Sequence, residues 1–151
     1  MTDTNEKWRK EDEAKQVKFT LALKRWLKND ENAIRFVIDL VFIAHLWDDL
    51  IDKDKNRTNS EINAGFKTCL FHLLENPFYA RCIGDLKPIM VNAYLNWHAS
   101  NIIKDPSKQW FLRASIYNII VHSAYLIGGM EWAERVTPEI WDLYEEEIQD
   151  A

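Results

Sequence analysis

The chain has 151 residues, 47% of them hydrophobic and 13% aromatic, with seven tryptophans. So much apolar surface excludes a disordered chain, and the length suits one domain with a real core. A net charge of −5 argues against a nucleic-acid binder, and four glycines with four prolines leave too few turns for a β-sandwich or barrel.

The expected elements are all helices, in this order. A charged amphipathic helix covers about residues 5–28, EKWRKEDEAKQVKFTLALKRW. Its start, MTDTNEKWRKEDEAK, has no apolar leader region, and no run reaches the roughly 18 apolar residues of a membrane span. The expectation is a reducing, cytoplasmic setting with no membrane partner, where Cys69 and Cys82 serve as small buried hydrophobes. Asn29-Asp30-Glu31 interrupts the run and caps a second helix over about 31–53. A polar loop, Lys53-Asp54-Lys55-Asn56-Arg57, follows. Thr58-Asn59-Ser60-Glu61 fits a capping box, which opens a third helix over about 59–75.

Asn76-Pro77 begins a short turn that Gly84 breaks. A helix is then expected over about 86–104, with Pro88 in its first turn. Asp105-Pro106 opens the next, about 106–127, and Gly128-Gly129 stops it. Thr137-Pro138 opens the last, about 138–150, whose acidic tail DLYEEEIQD reads as a solvated face. No strand alternation and no internal repeat is present. The fold class is therefore all-α: residues 1–151 form a single-domain helical bundle of about six or seven helices. Ala33 to Ile51 and Ile116 to Ile127 are apolar nearly all round, so two of these helices are expected to be central and buried.

One stretch of the second helix stands out, His45-Leu46-Trp47-Asp48-Asp49-Leu50-Ile51-Asp52. At about 100° per residue, His45, Asp48, Asp49 and Asp52 share one arc about 100° wide. Ile34, Ile38, Val41 and Phe42 stack in the same arc one to three turns earlier, so the acids continue an apolar stripe. Carboxylates there repel one another and lose hydration, and a divalent cation relieves both costs. An all-oxygen donor set suits Mg²⁺ or Mn²⁺, with His45 as ligand, donor or base. The competing expectation is that the helix leaves the core near Asp48 and the acids are solvated.

The string DDLIDKDKNR resembles the first aspartate-rich signature of isoprenoid diphosphate synthases, and class I terpene synthases carry a looser version. The matching positions are Asp48, Asp49, Asp52 and Arg57. The resemblance covers about ten residues. It implies an α-helical bundle in which Asp48 and Asp52 bind magnesium, Asp49 supports them, and Arg57 lies near a prenyl diphosphate. The second metal-binding helix of those enzymes has no counterpart: Asp85 stands alone, and Lys104 stands where Asn96 and Ser100 would need a glutamate. In class and size the chain also resembles the all-α nucleotide pyrophosphatases of the dimeric dUTPase and MazG type.

Other polar residues sit on apolar stripes. Asn118 and His122 are four apart on one helix, and Asn92, Asn96 and Ser100 line another. These are either satisfied core groups or site groups, with His122 facing the acids as ligand or base and Asn92, Asn96 and Asn118 contacting substrate. His72 and His98 are expected to be structural and surface residues. The functional expectation is a Mg²⁺-dependent enzyme that cleaves a small diphosphate-bearing molecule, a nucleotide or a prenyl compound, by hydrolysis or by ionisation. The alternative is a non-enzymatic helical interaction or adaptor protein, acidic and aromatic-rich, with the charged first helix and the EEE tail as contact surfaces. The sequence leaves self-association open.

Overall fold

The computed structural model describes the backbone of residues 2–149 and the side chains of residues 6–7 and 9–144. The helices are α1 (Thr2–Trp26), α2 (Glu31–Asp52), α3 (Asn59–Lys67), α4 (Leu73–Glu75), α5 (Pro77–Ser100), α6 (Pro106–Arg113), α7 (Ile116–Gly128) and α8 (Met130–Gln149). A π-helical turn, Thr68–His72, joins α3 to α4 so that the two continue one rod. Among the described residues no strand occurs, and the all-α reading holds.

Four helix starts follow the expected cap chemistry. The Asp30 carboxylate accepts from the Ala33 N–H at 3.0 Å. Thr58 and Glu61 complete a reciprocal capping box, at 3.1 and 2.8 Å. Asn76 accepts from the Tyr79 N–H at 3.0 Å and donates to the Asn32 carbonyl at 2.9 Å, so it ties α5 to the start of α2. Asp105 accepts from the Ser107 N–H at 2.9 Å.

Three boundaries depart from expectation. Pro77 opens one continuous helix, α5, that passes through both Gly84 and Pro88. A proline ring crowds the carbonyl four residues earlier, and here that residue is Gly84, whose backbone adapts most easily. The helix expected over 106–127 divides instead at Ala114-Ser115, with no breaker residue to mark it. There the buried Ser115 hydroxyl receives the Asn96 side-chain N–H at 2.8 Å. Finally, α8 starts at Met130 and carries Pro138 inside it. Thr137 does not cap a helix, because its hydroxyl donates to the Ala133 carbonyl at 2.6 Å. Ala133, Val136, Ile140 and Leu143 are all buried, so an apolar stripe spans the proline and holds the helix together across it.

One core cluster unites the chain, from Leu23, Trp26 and Leu27 through Phe36, Phe78 and Leu86 to Ile120, Val136 and Ile140. Phe36 stacks on Tyr79, with ring centroids 5.2 Å apart. Helix α7 packs on α8 and α5, and α2 on α5, α3 and α7. Neither α2 nor α7 is enclosed on all sides. In α2 Ala33, Ile34, Phe36, Val37 and Leu46 are buried, but Trp47, Leu50 and Ile51 are exposed. In α7 Asn118 and Tyr125 are exposed. The end of α1 is fastened to α8: Arg25 forks onto Glu139 at 2.7 and 2.9 Å, and the Trp132 indole N–H donates to the Trp26 carbonyl at 2.8 Å. The fork is exposed, so water screens it and it positions the two helices more than it stabilises them. Residues 9–18 of α1 are exposed throughout. The side chains of Glu145, Glu146 and Glu147, the acidic tail, lie outside the described residues.

Glycines give a paired stability prediction. A Cβ on Gly84 meets nothing within 4 Å, whereas one on Gly128 would lie 2.2 Å from Trp132 Cδ1 and 2.8 Å from its Cβ. Gly84→Ala is expected to raise stability by roughly 0.5–1 kcal/mol, since alanine is the better helix former. Gly128→Ala forces Trp132 out of place and costs about 1–2 kcal/mol. Urea denaturation read by fluorescence checks both signs.

Candidate functional site

The sequence points first to the C-terminal half of α2. Leu46 is buried there, Asp48 and Asp49 are partly buried, and the acids meet different partners. Asp49 forms an ion pair with Arg57 across the turn from α2 to α3: Nε lies 2.7 Å and Nη2 2.5 Å from Oδ2. Both side chains are largely covered, Asp49 to 12% exposure and Arg57 to 19%. Arg57 also reaches Glu61 at 3.6 Å. The Asp48 Oδ1 accepts from the Trp97 indole N–H at 2.9 Å. Asp52 and His45 are exposed.

The fit to a divalent cation is therefore poor. Asp49 is neutralised by a guanidinium, Asp48 is engaged by an indole, and Asp52 points to solvent. Among the described residues no group of three or more His, Cys, Asp or Glu side chains is gathered to hold a metal ion. Along the stripe Ile34 is buried, Ile38, Val41, Phe42, Asp48 and Asp49 are partly buried, and His45 and Asp52 are exposed.

The other expected site residues collect elsewhere. Asn92, Asn118 and His122 line an open groove of about 890 Å³ between α5, α7 and α8, together with Tyr125, Met130, Glu134 and Thr137. Asp48, Asp49 and Asp52 are not among its lining residues. His122 and Asn118 thus look onto α5 and α8 instead of the acidic end of α2. Asn96 is the link to α7: it donates to Ser115 at 2.8 Å and to Asn92 at 3.3 Å. His98 stacks on Tyr94 at 6.1 Å, as a surface residue. His72 is exposed, and so is Cys69, which the sequence reading placed inside. Cys82 is partly buried.

The acid whose placement is hardest on the protein is Asp39. Its Oδ2 is buried without a hydrogen-bond partner, and Oδ1 lies 3.5 Å from Arg35. Loss of hydration pushes its pKa above the ordinary aspartate range, against the opposing pull of Arg35 and His72. An acid whose folded pKa is raised binds its proton more tightly in the native state, so its ionisation weakens the fold as pH rises. That penalty is absent where Asp39 is protonated in both states and complete above its folded pKa. Asp39→Asn is expected to raise the melting temperature at neutral pH. The gain should shrink as pH falls through the window between the folded and unfolded pKa values. Melting curves across pH 3–8 test this.

What the sequence reading missed is apolar and exposed. Along α3, the π turn and α4, Phe66, Leu70, Phe71 and Leu74 are 61, 57, 54 and 63% exposed. Leu73 and Thr68 turn inward from the same rod, and Gly65 seats it on Leu46 of α2. The π turn is closed by the Leu73 N–H on the Thr68 carbonyl, five residues back. Its wider winding offsets the usual drift of residues four apart, so Phe66, Leu70 and Leu74 stay on one ridge. The cue in the sequence was FKTCLFHLLE, which holds more large apolar residues than one buried face needs. A second exposed cluster, which the abundance of tryptophan in the sequence did foreshadow, joins Trp47 of α2 to Tyr94 and Trp97 of α5. No protein-family model matches the chain, and comparison with curated proteins and with solved structures finds no significant similarity.

Proposed function

We propose that the chain is a helical docking protein that binds a partner protein through the ridge of Phe66, Leu70, Phe71 and Leu74. The observation that carries this reading is the exposure of four large apolar side chains on one rod, each more than half exposed. Soluble monomers rarely leave such a surface uncovered, and apolar patches of this kind mark association sites. The π turn supports it further, because such turns recur where a helix carries function. The contact surface is then apolar, and not the charged first helix or acidic tail.

The test has two readouts on the same variant, Leu70→Glu with Leu74→Glu. Light scattering reports self-association of the pure chain, and co-purification at fixed stoichiometry reports a different partner. Association by wild type that the variant loses supports the reading. A monomeric wild type whose co-purifying proteins are unchanged by the substitutions removes it.

A second reading keeps the Mg²⁺-dependent cleavage of a diphosphate-bearing substrate. It is favoured by the spacing of Asp48, Asp49, Asp52 and Arg57 at one helix end. Asp48 and Asp49 would first have to exchange their present partners, Trp97 and Arg57, for the metal.

A further inference from the structure

The aromatic cluster beside the acidic motif is a second surface, built from different helices. Trp47 stacks on Tyr94 with centroids 5.4 Å apart, and Trp97 lies 5.7 Å from Trp47 and 6.1 Å from Tyr94. Trp47 and Tyr94 remain 48% and 43% exposed, so the rings are not packed away. The hydrogen bond from the Trp97 indole to Asp48 Oδ1 fixes one ring and one carboxylate together. Asp48 Oδ2 stays open to solvent, with no hydrogen bond or ion pair among the described residues. Asp52, one turn further along α2, is exposed.

This combination is electrostatically incomplete. Ring faces are negative, and carboxylates at their rim add to the same field. Elsewhere the chain satisfies such a ring internally: Lys28 Nζ stands 4.8 Å and Arg25 5.8 Å from the Trp132 ring centroid. Among the described residues no lysine or arginine lies over Trp47, Tyr94 or Trp97, although the His98 ring stacks on Tyr94 with centroids 6.1 Å apart, which leaves the Trp47 indole as the open face. The nearest arginine in sequence, Arg57, is already taken by Asp49 and Glu61. Lys53 and Lys55 belong to the exposed loop that follows.

We infer that the platform of Trp47, Tyr94 and Trp97, with Asp48 at its edge, receives an arginine side chain from a partner polypeptide. A guanidinium stacks flat on an indole while its edge donates to carboxylate oxygens, which a lysine ammonium does not do in one pose. Asp48 Oδ2 supplies the acceptor and Asp52 adds long-range attraction. The docking ridge of α3 and α4 is not involved, so this site and the proposed function fail by different variants.

The probe is a glycine–serine peptide carrying two arginines, with citrulline and lysine counterparts, titrated into the full chain at low salt. Tryptophan fluorescence and calorimetry give the affinities. The arginine peptide is expected to bind about tenfold more tightly than the citrulline peptide, which has the same shape and no charge. Asp48→Asn keeps an oxygen for the Trp97 indole and removes the charge, and it should weaken arginine binding about tenfold. Trp47→Ala should do the same. Asp52→Asn, at an exposed position that cannot threaten the fold, should weaken it about twofold to threefold and flatten the salt dependence. Equal binding of arginine and citrulline peptides, equal binding of arginine and lysine peptides, or no binding of any of them would overturn the assignment.

Discussion

Placing glutamates at Leu70 and Leu74 together is expected to abolish association and leave the isolated chain as stable as before. The two positions are 57% and 63% exposed, so the substitutions remove almost no core packing. On a solvated helix, leucine and glutamate differ little in propensity. In an interface the same change is severe. Two carboxylates would be stripped of water against an apolar partner surface, at several kcal/mol, which weakens binding at least about a thousandfold. The contrast with Leu73 makes the prediction specific. Leu73 is 7% exposed and belongs to the core cluster, so Leu73→Glu should unfold the chain while its neighbours at 70 and 74 tolerate the charge. Thermal melts separate the two outcomes, and light scattering or co-purification reports the association. A loss of association that tracks a loss of stability would mean that the ridge belongs to the core.

The helices were legible because their signals are local. Asp30, Thr58, Asn76 and Asp105 each cap the helix expected of them, since a cap is decided within three residues. The breakers at Gly84, Pro88 and Pro138 misled for the opposite reason. Their effect is a local cost of a few kcal/mol, and apolar stripes that run on both sides outweigh it. Helix α8 shows this: Ala133 and Val136 lie before Pro138, Ile140 and Leu143 after it, and all four are buried.

The site was harder to read, and the acidic stretch explains why. Periodicity fixes which residues share a face, but not where the neighbouring helices end. The arc holding Asp48, Asp49 and Asp52 does continue the stripe of Ile34 and Ile38. Whether acids at its far end meet a cavity, a guanidinium or water depends on Arg57 and Trp97, eight and forty-nine residues away from the acids they bind. The grouping of Asn92 with Asn118 and His122 rests on the same kind of distant packing, between α5 and α7. The apolar ridge was hidden for a different reason. A leucine-rich helix looks like core in a sequence, and only the arrangement of α2 beneath it shows which leucines are left over.

Arg57 decides between the two functional readings. In the docking reading its work is internal: it neutralises Asp49, whose carboxylate is 12% exposed and makes no other ion pair among the described residues. Arg57→Ala then strands a largely desolvated charge beside Glu61, at a cost of about 2–3 kcal/mol. For a chain of this size that lowers the melting temperature by about 5–10 °C. Adding Asp49→Asn to the same variant should restore most of the loss, because it removes the stranded charge along with its lost partner. Millimolar Mg²⁺ should leave the wild-type melting curve unchanged, since an acid held by arginine gains nothing from a metal. The diphosphate reading requires a ligand response as well. There Mg²⁺ with inorganic pyrophosphate stabilises wild type increasingly, with the logarithm of its concentration, and Arg57→Ala loses that response on top of the lost ion pair. A melting curve of each variant, with and without Mg²⁺ and pyrophosphate, therefore distinguishes an arginine that holds the fold from one that holds a ligand.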